Sequence, residues 1–339
     1  RIYSHWKGSR SSAQSLKEAP LAKYSKLLKN LLRIGLSLIT LALLLRSVGW
    51  KEILAILQTA DLRMLVIAWG LFLVGVIVRT FRWRALLRGL GITPPFGQLL
   101  YLYLVGGFFN AFLPTGFGGD VVRVVELAQG EENSAALGTV LLDRLTGILS
   151  LLALGLIVLP FTSELEPWLV WIVVLVSGGG LLGGFLLIEG RLLRAITARL
   201  PKAFSLAGEG TLARIYAAVT GCGSRAIWNA LGFSTLFNLL NIAVYWLCGL
   251  AVGIPTGLSF YFVAVPLLSL TLLMPISVGG LGVRDWVAQP LFASVGIAAG
   301  QAAGMTLLVY VVTAAAGMVG GILYLGSALR NLIQPQKGV

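Results

Sequence analysis

Six apolar segments long enough, or nearly so, to cross a lipid bilayer govern what this chain can become. They run roughly 31–46, 64–80, 134–160, 167–188, 227–252 and 300–325. A membrane-crossing α-helix needs about 20 apolar residues, and helices satisfy every backbone polar group within one segment. Mean hydropathy is +0.90. With 57% hydrophobic and only 12% charged residues, a water-soluble core could not hide this apolar surface. The expected fold is an all-α polytopic membrane protein.

Two shorter apolar pairs, 97–113 with 120–130 and 259–274 with 281–298, flank a pattern that occurs twice. Pro114, Gly118, Gly119 and Arg123 in the first copy match Pro275, Gly279, Gly280 and Arg284 in the second, 161 residues on. Proline and paired glycines break a helix, and irregular backbone at membrane depth survives only where protein or water covers it. Each pair is therefore expected to form a re-entrant broken hairpin, with these prolines and glycines shaping its opening. A broken helix in corresponding positions of two halves points to a transport site.

Lysine and arginine set the orientation. The first 33 residues carry eight, 79–88 carries four and 189–226 carries six, whereas 161–167 has two glutamates and no basic residue. Both termini are expected on the cytoplasmic side of the inner membrane. Residues 1–30 read as a basic cytoplasmic tail, 31–160 as a first membrane repeat and 161–330 as a second. Three crossings per half is an odd number, so the second repeat is inverted relative to the first. The net charge of +13 lies mostly in the tail and loops. It reads as topology and attraction to anionic lipid, with no nucleic-acid partner. The chain opens at Arg1 without methionine, which reads as a trimmed start.

Polar groups at membrane depth are few, and they define the candidate site: Asn110, Asp120, Arg123, Asp143, Arg144, Arg284 and Asp285. A half-helix beginning after each glycine pair presents N–H groups and a positive dipole end to an anion, and an arginine one turn in adds a planar fork that fits phosphate. Arg123 and Arg284 are thus candidate head-group ligands. The same charges could equally lock the hairpins to the bundle. Asp120 and Arg123 can pair on one helix face, while Asp143 and Arg144 point apart and need partners elsewhere. Asn238 and Asn241 read as interhelical hydrogen bonds, and Arg79–Arg88 with Trp83 as an interfacial anchor. Leu192, Leu193, Ile196 and Leu200 recur at helical spacing and suggest a cytoplasmic interfacial helix.

Most enzyme classes are excluded. His5 is the only histidine and lies in the tail, which argues against a metal site or a histidine-dependent hydrolase. No Gly-x-x-x-x-Gly-Lys-Ser/Thr motif occurs, and no cofactor is implied. Gly118-Gly119-Asp120 falls short of an intramembrane aspartyl protease motif, because Phe117 stands where that motif needs glycine. Cys222 and Cys248 are too few for a disulfide framework and read as apolar packing.

Asn110 through Arg123, then Leu142-Asp143-Arg144, then Pro275 through Asp285, resemble the transmembrane region of lysylphosphatidylglycerol synthases. The resemblance covers nearly all of the chain from about residue 30. It implies a flippase-like module for phospholipid, in stand-alone form, because no aminoacyltransferase domain exists in these 339 residues. Asp120 stands where family members carry glutamate. The resulting expectation is a lipid transporter holding a phosphate-bearing head group between two hairpins, served by a separate lipid-modifying enzyme. The alternative is a membrane-embedded transferase acting on a lipid or a lipid-linked sugar.

Overall fold

The computed structural model describes residues 55, 58–112, 118–127, 133–162, 165–189, 211–273 and 283–333. The expected tail, the 31–46 span, the 192–200 helix, and Pro114, Pro275, Gly279 and Gly280 lie outside them.

All regular structure among the described residues is helical. The helices are α1 (Leu62–Gly89), α2 (Phe96–Phe112), α3 (Gly118–Leu127), α4 (Asn133–Val158) and α5 (Pro167–Glu189). They continue as α6 (Thr211–Gly221), α7 (Ser224–Ala251), α8 (Leu258–Leu270), α9 (Val283–Ala293) and α10 (Ala299–Ile333). Five of these, α1, α4, α5, α7 and α10, are long and apolar enough to cross a membrane. They coincide with five of the six expected spans. The short pairs α2–α3 and α8–α9 fall where the broken hairpins are expected. Large apolar side chains such as Trp168, Trp171, Leu175 and Phe185 stand on the outside of the bundle, as lipid-facing surface requires.

Local chemistry sets the helix ends. Asp61 caps α1, its carboxylate accepting from the Arg63 N–H at 2.8 Å. Gly91 ends α1 at φ +77°, and Gly253 ends α7 at φ +75°. Both helices close with the same pair of bonds. Gly91 and Ile92 donate to Arg88 and Leu87, and Gly253 and Ile254 donate to Leu250 and Gly249. A positive-φ glycine followed by isoleucine thus recurs at almost the interval of the hairpin motif.

Exchanging the two halves preserves the packing. Helix α1 lies along α7 over most of its length. The pairings α2 with α10, α2 with α3, α3 with α4 and α1 with α2 return as α8 with α4, α8 with α9, α9 with α10 and α7 with α8. Helices α1 and α7 run antiparallel: the Asp61 N–H donates to the Ala251 carbonyl, Gly75 meets Phe237, and Gly89 meets Cys222 and Ala226. An exchange that carries α1 onto α7 must therefore turn the chain upside down across the membrane.

Close helix approach rests on glycine. A Cβ at Gly320 of α10 would overlap the Leu104 carbonyl of α2, which is backbone and cannot swing aside. Gly320→Val should accordingly lower the melting temperature in detergent markedly, because overpacking costs about 1–3 kcal/mol even where side chains can adjust. An unchanged melt would refute this contact. Gly180 and Gly184 of α5 receive Leu152 and Leu149 of α4 in the same manner.

Both cysteines are free and buried. Cys222 sits in the turn between α6 and α7, where burial pushes its thiol up to about 11. At pH 7 it stays protonated and unreactive. Maleimide should leave both cysteines unmodified in the folded protein and label both after denaturation in SDS; labelling of Cys222 in the native state would contradict its placement.

Candidate functional site

Helix α3 starts at Gly118, and its first turn is closely held. The Gly119 N–H donates to the Asn110 side-chain carbonyl at 2.8 Å. A Cβ at Gly119 would overlap the Gly106 carbonyl, so only glycine lets α3 lie this close on α2. One turn on, Arg123 is 1% exposed. Its guanidinium carbon lies 4.1 Å from the Trp83 ring centre and 3.9 Å from that of Tyr103.

Around Arg123 a buried ion network joins five helices. Asp143 of α4 is fully buried. It accepts from Arg82 Nε of α1 at 2.6 Å, from Arg123 at 3.3 Å and from the Tyr103 hydroxyl of α2. Asp120 accepts from Arg123 at 3.1 Å and from Arg144 Nε. Arg82 also donates to Ser234 of α7 at 3.2 Å. As adjacent residues on a helix should, Asp143 and Arg144 take different partners. The first hairpin is pinned to the bundle through charge.

Between the two halves lies a cavity of about 300 Å³, bordered by α1, α2, α4, α7, α8, α9 and α10. Four arginines reach its wall: Arg79, Arg82, Arg144 and Arg284. No carboxylate does, among the described residues. Neutral polar groups complete it, among them Asn110, Asn238, Asn241, Tyr245 and Thr313. Two of the four arginines, Arg82 and Arg144, are paired with Asp143 and Asp120 behind the wall.

Of the expected site residues, Asn110, Arg144 and Arg284 border the cavity, whereas Arg123, Asp120 and Asp143 lie in the network behind it. Arg284 of α9 is buried, 5.9 Å from the Tyr245 ring centre. This echoes Arg123 over Trp83. Asp285 accepts from the Thr306 hydroxyl of α10. Gly118 begins α3 and Gly119 packs it, while Pro114, Pro275, Gly279 and Gly280 fall outside the described residues. Asn238 donates to the Gly147 carbonyl at 2.9 Å, an interhelical bond as expected. Among the described residues no group of three His, Cys, Asp or Glu side chains could hold a metal.

The expected interfacial anchor at Arg79–Arg88 is corrected for Arg79, Arg82 and Trp83, while Arg88 is exposed at the end of α1. Trp83 is fully buried and donates to Thr139 at 3.2 Å, Arg82 is 2% exposed, and Arg79 borders the cavity. Arg79 and Arg82 are one turn apart on the inner face of a 28-residue helix, which at about 1.5 Å per residue outreaches the hydrocarbon core. The signal was their spacing of three, with Trp83, Leu86 and Leu87 continuing a buried stripe.

The sequence profile of the lysylphosphatidylglycerol synthase transmembrane region matches residues 30–321. The chain belongs to this family. A UPF0104 membrane protein of Methanothermobacter thermautotrophicus is 26% identical over 321 residues, covering 84% of this chain and 90% of that protein. A UPF0104 membrane protein of Pyrococcus horikoshii is 26% identical over 123 residues, 35% of this chain and 36% of that protein. The profile spans the α1 stripe, both hairpins, the ion network and most of α10. Membership supports a membrane lipid-related role for this multi-pass protein.

Proposed function

We propose that this protein binds the phosphate of a membrane lipid in the cavity between its halves and carries the head group from one leaflet to the other. The observation behind this reading is the cavity wall, with four arginines and no carboxylate among the described residues. Charge at membrane depth is costly and is retained where it meets a ligand or a path. The inverted packing suits a central site that opens to either side in turn. Arg284, Arg144 and Asn110 would contact the head group, and the Arg123–Asp120–Asp143 network would hold the first hairpin in register. We read the halves as repeats 31–160 and 161–330 in a cytoplasmic membrane, with both termini inside. Movement is downhill or ion-coupled, and a separate enzyme supplies or consumes the lipid.

The test is reconstitution into phosphatidylcholine vesicles containing fluorescent phosphatidylglycerol, with dithionite quenching from outside. Expected is loss of the inner-leaflet signal well above protein-free vesicles. No translocation, together with no phospholipid retained on the purified protein, would overturn the proposal. A chemically altered lipid in the same vesicles would mark the chain as a transferase instead.

A further inference from the structure

Arg79 differs from the two other first-half arginines in the cavity wall. Arg82 is committed to Asp143 and Ser234, and Arg144 to Asp120. The Arg79 guanidinium instead lies near two rings, 5.1 Å from the centre of Tyr103 on α2 and 5.0 Å from that of Phe237 on α7. Its Nε is buried, and no acceptor among the described residues takes its hydrogen. An aromatic ring attracts a guanidinium but offers no lone pair to its N–H hydrogens. A buried donor without an acceptor is a standing cost, removed when an acceptor arrives from the cavity. The planar fork of arginine matches a phosphate in a way that the point charge of lysine does not.

We infer that Arg79 joins Arg284 in binding the phosphate in the cavity, and that the head group taken there is net anionic and ends in uncharged hydroxyls rather than an amine. This rests on the reading that the cavity receives a lipid. Three of the four wall arginines come from the first half, while the second half contributes Asn238, Asn241, Tyr245 and Thr313 to the wall. Those neutral donors and acceptors match hydroxyls. An ammonium would enter among arginines, with the carboxylates behind them, Asp120 and Asp143, already engaged, and like charges in a dry site repel strongly. The two hairpin connections, 113–117 and 274–282, contain no acidic residue either.

The experiment is native mass spectrometry of the purified full chain offered equal amounts of phosphatidylglycerol, phosphatidylethanolamine and lysyl-phosphatidylglycerol. A parallel arm uses water-soluble glycerol 3-phosphate. The wild type should retain phosphatidylglycerol at least tenfold over both amine-bearing lipids. Arg79→Ala and the shape-preserving Arg79→Gln should lose at least nine-tenths of that retention with an unchanged melting temperature. Arg79→Lys should recover only a minor part. Retention by Arg79→Gln equal to wild type, or equal retention of lysyl-phosphatidylglycerol by the wild type, overturns the inference and leaves the lipid reading standing. Binding of glycerol 3-phosphate that requires Arg79, with no lipid retained, upholds the phosphate assignment and overturns the lipid reading.

Discussion

Asp143→Ala is expected to be the most damaging single substitution in the bundle, destabilising the fold by about 3–5 kcal/mol, as when one member of a buried ion pair is removed. The carboxylate is fully buried and serves Arg82, Arg123 and Tyr103, which belong to three different helices. Its loss leaves two guanidiniums in a dry interior with a single remaining carboxylate, Asp120, already engaged by Arg144. Asp143→Asn should fare little better, since it keeps the shape and removes the charge. Replacing the pair together, as Arg82→Met with Asp143→Leu, should recover part of the loss, because it removes the uncompensated charge as well as the interaction. Thermal melts monitored by size-exclusion chromatography report all of these variants. A single Asp143→Ala variant that melts like the wild type would show that the network contributes nothing to folding.

Arg284→Ala should act on transport and leave the fold intact. Arg284 is the one arginine that the second half brings to the described cavity wall. A hydrogen bond to a charged group contributes roughly 1.5–3 kcal/mol, which corresponds to a drop in translocation of about ten- to a hundredfold. The contrast with Arg123 is informative. Arg123 is enclosed by Asp120, Asp143 and two rings and does not reach the cavity. Arg123→Ala should therefore lower the melting temperature, whereas Arg284→Ala should lower the rate at an unchanged melting temperature. Translocation by Arg284→Ala at the wild-type rate would remove the second hairpin from the proposed site.

The spans were legible because bilayer thickness imposes a length on apolar runs. The breaks were legible because proline and paired glycines leave few other options. Inversion followed from an odd number of crossings, and the antiparallel contact of Gly75 with Phe237 fits it. Partnerships were not legible. Nothing local ties Arg82 to Asp143, 61 residues away, and the rule that arginines near a span end reach for the interface hid Arg79 and Arg82. Asn110 belonged to the candidate set, but its bond to the Gly119 N–H depends on how closely two helices lie, which no spacing encodes. The repeated Gly-Ile helix ends, Gly91-Ile92 and Gly253-Ile254, were visible as letters and gained meaning only from their shared cap geometry.

Shape and charge follow different symmetries in this molecule. Exchange of the halves preserves the helix contacts, but the residues at the centre of the ion network have no acidic or tyrosine counterparts in the second half. At the motif interval of 161 residues, Tyr103, Asp120 and Asp143 are answered by Ala264, Leu281 and Gly304. Two conformers related by that exchange would match in outline and differ in energy, since only one retains a satisfied Asp143. The proposed carrier would then have a resting side: without cargo it would wait facing one leaflet, and the free energy of binding an anion would be what tips it toward the other.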